Sequence, residues 1–189
     1  MKGWIFGWAL LGLSISLSHG AEARPQHETF TGDLSLGISV VRSAAQCGDA
    51  PLCPTDPPAQ TRFGVAGLSA SLGSYIVPQV ALVARLASTS FFDGSKQYGN
   101  NFYGVGVEFW PHDYVMLGAG VGFGLFGQNV LFSGGDAHLS TGWALDFRVA
   151  TALAQGTHHD FILGLEALPG FYDGKSVLGF GLTGGWKWY

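Results

Sequence analysis

The last twelve residues, 178–189, read Leu-Gly-Phe-Gly-Leu-Thr-Gly-Gly-Trp-Lys-Trp-Tyr. Leu178, Phe180, Leu182, Gly184, Trp186 and Trp188 share one parity, and Gly179, Gly181, Thr183, Gly185 and Lys187 share the other, the period of a strand with one apolar face. The second face holds only glycines, a hydroxyl and a cation, so it is no ordinary packed core. A soluble barrel puts its apolar residues inside. Here the arrangement is reversed, as in a strand whose apolar side meets lipid, with Trp186 and Trp188 placed as interfacial aromatics.

Composition sharpens that constraint. Only 12% of the 189 residues are charged while 14% are aromatic, and the chain contains 30 glycines; about a quarter of a soluble domain is charged. Beyond residue 23, no stretch approaches the roughly 20 apolar residues of a membrane-spanning helix. The remaining way for a backbone to satisfy itself in hydrocarbon is a closed β-barrel. The N-terminal run, residues 4–17, follows Lys2 and precedes Ala21-Glu22-Ala23, the pattern of a cleaved secretory leader. Residues 1–23 are therefore expected to be a signal peptide and 24–189 a single barrel domain. The formal charge of −4 argues against a nucleic-acid partner.

Period-two segments recur at 29–41, 62–73, 79–90, 102–110, 115–127, 140–153, 160–168 and 178–189. The segment 115–127 alternates most strictly, and 62–73 least, because Ala66, Leu68, Ala70 and Leu72 oppose Phe63 and Val65 in parity. Connections run long, short, long, short, long, short and medium, as in an antiparallel meander whose first, third, fifth and seventh connections face outward. Eight strands of about 9 to 11 residues suit a bilayer, and closure removes exposed edges. The expected fold is all-β, an eight-stranded antiparallel up-and-down transmembrane barrel, and a monomer.

On this pattern the chain resembles the small eight-stranded outer-membrane proteins of Gram-negative bacteria, such as the membrane-anchor domain of outer-membrane protein A. The resemblance covers residues 29–189 and implies the cell outer membrane, with its lipids as surroundings. Members usually end in an aromatic residue on the lipid-facing parity. In this chain that face ends at Trp188, and Tyr189 shares the parity of Lys187.

Seven charged residues fall on the inward parity: Asp33, Arg85, Glu108, Asp146, Arg148, Glu166 and Lys187. A cation on the lipid face costs about 2 to 4 kcal/mol near the midplane, so they are expected to pair inside and plug a lumen that side chains largely fill. Arg148 is the expected partner of Asp146. The competing reading is a narrow, porin-like channel, for which the inward glycines speak unless Met116, Phe126 and Trp110 occupy their space. A third reading is a lipid hydrolase. His138-Leu-Ser140 shares a face of a strand, so imidazole could activate hydroxyl if a carboxylate, of which Asp146 is the nearest downstream, oriented it; this stretch looks like the His-x-Ser fragment of barrel lipid A deacylases.

Cys47 and Cys53 are the only cysteines, and in an exported chain two nearby cysteines most simply close a disulfide, here in the longest outward loop. No metal site is expected: His158, His159 and Asp160, like His112 and Asp113, read as solvated turns without convergent ligands. Residues 122–127 and 179–184 match G-x-G-x-x-G, but no helix pattern follows either, so no nucleotide cofactor is expected. The expected role is structural or interaction-mediating, with a protein or glycan partner meeting the outward loops.

Overall fold

In the computed structural model, the described residues are 30–45, 60–93, 96–128, 139–172 and 175–189. They form eight strands: β1 Phe30–Ala45, β2 Gln60–Val77, β3 Val80–Asp93, β4 Lys96–His112, β5 Val115–Gln128, β6 Leu139–Gln155, β7 His159–Tyr172 and β8 Lys175–Trp188. Each pairs antiparallel with its neighbours in sequence, and β1 pairs with β8 from Gly32–Trp188 to Ala45–Lys175, closing the barrel. Among the described residues no helix is long and apolar enough to cross a membrane. We call the rim near 46–59 and 129–138 upper, and the rim with the 78–79, 113–114 and 156–158 turns lower.

The expected facing holds. Leu36, Ile38, Val105, Val121, Phe147, Leu165 and Phe180 are exposed on the outer wall. Two groups of aromatics band this wall. Tyr103, Phe123, Trp143 and Phe171 are successive ladder partners across β4 to β7, with Trp143 stacked on Phe171 at 4.1 Å. Toward the lower rim, Trp186 meets Phe161 edge-on at 5.3 Å and Trp188 is exposed beside His159. Apolar wall between aromatic girdles is the exterior of a lipid-embedded barrel.

The expected long third connection and the medium seventh are both far shorter. β3 and β4 extend so far that only 94–95 separates them, and β7 and β8 leave only 173–174. The polar residues that suggested a loop at 93–101 find partners within the wall instead. Ser88 Oγ donates to Asn101 Oδ1 at 2.5 Å, and Asn100 Nδ2 crosses to the Leu168 carbonyl at 2.9 Å. Strands therefore run 14 to 18 residues, longer than hydrocarbon alone requires.

The ambiguous facing of the second segment has a physical cause. Gly37 pairs with Gly67 but Ser39 pairs with Gly64, so β2 carries one extra residue. This β-bulge switches parity: Leu68 and Leu72 face out below it, and Phe63, 81% exposed, faces out above it. The β2–β3 ladder ends at Ala66–Ser90. There the Ser39 hydroxyl of β1 substitutes for the lost strand partner, donating to the Ser90 carbonyl at 2.8 Å and accepting from the Ser90 amide at 3.2 Å.

Gly64 makes this crossing fit, because a Cβ there would run into the Ser90 carbonyl. Gly67, at the lower edge of the bulge, has only ordinary contacts from 3.5 Å outward. Gly64→Ala should therefore destabilise the barrel by about 1 to 3 kcal/mol through overpacking, whereas Gly67→Ala should be near neutral. Urea unfolding in lipid vesicles, followed by tryptophan fluorescence, measures both.

Candidate functional site

All seven charged residues expected inside do line the lumen, and the barrel brings them into one layer. Their positions follow from strand alternation: Asp33 on β1, Arg85 on β3, Glu108 on β4, Asp146 and Arg148 on β6, Glu166 on β7 and Lys187 on β8 all lie on inward parity and are nearly fully buried. Arg85 occupies the centre, with Nε on Asp146 Oδ2 and Nη2 at 2.7 Å from Glu166 Oε1. Arg148 reaches Asp33 Oδ1 at 2.9 Å and Glu166 Oε1 at 3.3 Å. Lys187 donates to Glu108 Oε2 and stands 3.8 Å from Asp33 Oδ2.

The expected pairing of Arg148 with Asp146 is corrected. Two residues apart on one strand, they project side by side, and each finds its partner across the lumen. Three serines complete the layer. Ser71 donates to Asp33 and, at 3.2 Å, to Glu108; Ser69 and Ser35 accept from Arg85 and Arg148 at 3.0 Å each. Sequence reasoning named the charges but not these hydroxyls, although each shares the inward parity of its strand and the register alone decides which rows meet.

Apolar clusters bracket this layer. Toward the upper rim Ala87, Phe102, Ala144 and Leu168 pack together, followed by Val41, Phe91, Tyr172 and Val177, against which Tyr98 and Phe126 rest. The inward glycines make room for these rings. The Phe102 ring tip would lie 2.6 Å from a Cβ at Gly104 and 3.2 Å from one at Gly120, and the Tyr172 ring leans over Gly124 and Gly170. The space beside these glycines is thus occupied by the Phe102 ring, over its own strand and the neighbouring β5, and by the Tyr172 ring, over its own strand and β5. Tyr172 Oη also donates to Asn100 Oδ1.

Toward the lower rim, Trp110, Met116 and Ala150 pack with Tyr75 and Tyr189. The off-parity C-terminal residue has a place here: Tyr189 turns inward across the mouth, its ring 6.1 Å from Trp110 and its hydroxyl donating to Asp160 Oδ2 at 2.8 Å. Asp160, read from the sequence as part of a solvated turn, is buried. Its parity with Glu166 on β7 was the signal.

The catalytic candidates are not assembled. His138 lies outside the described residues, as do Cys47, Cys53 and the expected leader. Ser140 pairs with Phe126 and Asp146 with Gly120 along an unbroken ladder. Six residues at about 3.3 Å each place them roughly 20 Å apart, and the Asp146 carboxylate already holds Arg85. Among the described residues there is no group of His, Cys, Asp or Glu that could hold a metal ion.

Removing one partner of a buried pair leaves the other charge stranded, at a cost of about 3 to 5 kcal/mol. Lys187→Met should lose that much stability by exposing Glu108 to an apolar lumen. The double variant Lys187→Met with Glu108→Leu should recover most of it. Equilibrium unfolding of the three proteins in vesicles gives the coupling directly.

No family model matches the sequence, and no curated protein matches it either. Solved structures do match. Neisserial surface protein A is 15% identical, the alignment covering 84% of this chain and 96% of that one with a TM-score of 0.55. Outer membrane protein AlkL, determined in lipid bilayers, is 13% identical over 90% of this chain and 94% of its own, with a TM-score of 0.51. At such identity the likeness is one of fold: the chain adopts the closed eight-stranded architecture of the small outer-membrane barrels.

Proposed function

We propose that this protein resides in the outer membrane as a sealed barrel that holds its upper connections, 46–59 and 129–138, at the cell surface for a structural or partner-binding role. The apolar wall with its two aromatic girdles supports membrane residence, and so does the outer-membrane setting of its structural neighbours. The observation that carries the sealed reading is the stacking of the lumen: a cross-paired charge layer between apolar clusters at both ends. An ion crossing it would have to replace buried ion pairs and then pass through Phe102 and Leu168 on one side and Trp110 and Met116 on the other. With the lumen so occupied, the surface left for recognition is the rim.

The narrow-channel alternative rests on one specific observation. Asp146 Oδ1 makes no hydrogen bond within the protein, and a buried polar atom of this kind commonly holds water. Planar bilayers discriminate the two. The sealed barrel should give no steady unitary conductance, and an ohmic conductance abolished in Arg148→Gln would establish the channel instead.

The disulfide between Cys47 and Cys53 belongs to the same reading. Five intervening residues close a small ring, for which loop closure supplies only about 2 kcal/mol. Its effect would be to restrict a segment already carrying Pro51, Pro54, Pro57 and Pro58, which lowers the entropic cost of binding. Thiol labelling of the mature protein should modify neither cysteine without reductant. Cys47→Ser with Cys53→Ser should leave the melting temperature of the barrel almost unchanged.

A further inference from the structure

Among the strand residues whose side chains are described, one permanently charged side chain lies on the outward face. Arg42 follows Leu34, Leu36, Ile38 and Val40 along the outer side of β1 and is exposed. Its ladder partners are Thr61 and Leu178, neither of which can neutralise it. No described residue gives it an ion pair. Every one of the seven lumen charges, by contrast, has an opposite charge within 4 Å. A cation on the lipid side is tolerated only near the interface, where water and headgroups still solvate it, so Arg42 marks the level of the headgroups at the upper rim.

Directly below it, the outer wall is hollowed. Val40, two residues down the same face, pairs with Phe63 on one side and Phe180 on the other. All three line an apolar groove of about 810 Å³ that continues across β7 and β6. Two local features shape it. Ala167 sits between Phe147 and Phe180 in the ladder and leaves a gap between their rings. The β2 bulge turns Phe63 outward as the opposite bank.

Lipid tails are as apolar as these side chains, so the groove alone would select no lipid. A fixed cation at its headgroup end does. We infer that this face is a binding site for an anionic lipid, whose phosphate pairs with Arg42 and whose acyl chain lies in the groove between Phe63, Phe180 and Phe147 over Ala167. The inference rests on the membrane residence proposed above. A bidentate guanidinium–phosphate contact gives the site a headgroup preference that salt weakens.

The test uses the full chain in phosphatidylcholine bilayers with spin-labelled phosphatidylglycerol or phosphatidylcholine as probe, reading the fraction of label immobilised by protein. One interfacial Arg corresponds to about a fivefold preference for the anionic probe. Arg42→Gln should bring the ratio to near one, Arg42→Lys should keep most of it, and 0.5 M salt should reduce it in the wild type. Ala167→Phe should lower the number of anionic lipids held without unfolding the barrel. Equal retention of both probes by the wild type, or an unchanged ratio in Arg42→Gln, overturns the site while leaving the barrel in the membrane. Crosslinks between copies across Phe63 and Phe180 would overturn it in favour of a self-association face. Immobilisation of neither probe would overturn membrane residence and the site together.

Discussion

A backbone in hydrocarbon has no water to turn to, so each amide and carbonyl in the wall must find its partner in the protein. The fourteen-pair ladder between β1 and β8 meets that demand. Without it, two strand edges would open into lipid, and the pairing between the first and last strands in sequence is the contact with the greatest loop-closure cost. The alternation of side chains follows from closure, since a closed sheet has one inside and one outside. Where the ladder between β2 and β3 ends, above Ala66–Ser90, the Ser39 hydroxyl from the next strand but one takes up the Ser90 amide and carbonyl.

Once the outside is apolar, the inside has to accept what lipid rejects. A small barrel has room only for side chains, so the charges are packed against one another. Arg85 and Arg148 share Asp33 and Glu166 between them, and Lys187 divides its charge between Glu108 and Asp33. Four carboxylates converge on three cations from six strands, which ties the wall together across its diameter. The layer is thereby a register device: slipping one strand by one residue would send its charge outward and break several pairs at once.

Large rings above and below the layer complete the filling, and their geometry explains why the chain uses so many glycines. Gly104 and Gly120 yield their side-chain volume to Phe102, and Gly124 and Gly170 yield theirs to Tyr172. Tyr189 does the same work at the lower mouth by leaving the parity of Trp188 and turning in toward Trp110 and Asp160.

The sequence by itself indicated the class, the number of strands, the facing of all but the second and the seven inward charges, because each rests on a period of two that survives in the linear order of residues. It also marked its own trouble spot, where Phe63 and Leu72 disagree in parity. Only the tertiary structure decided how that disagreement resolves, since a bulge exists only relative to the partner strand that lacks the extra residue. The same holds for the choice of Arg85 over Arg148 as the partner of Asp146, and for Phe102 above its glycines. The ion pair crosses the lumen between residues 61 positions apart, and the ring settles over glycines of its own and the neighbouring strand; both are set by register and curvature. Alternation along one strand carries no information about which row of the opposite wall it will face.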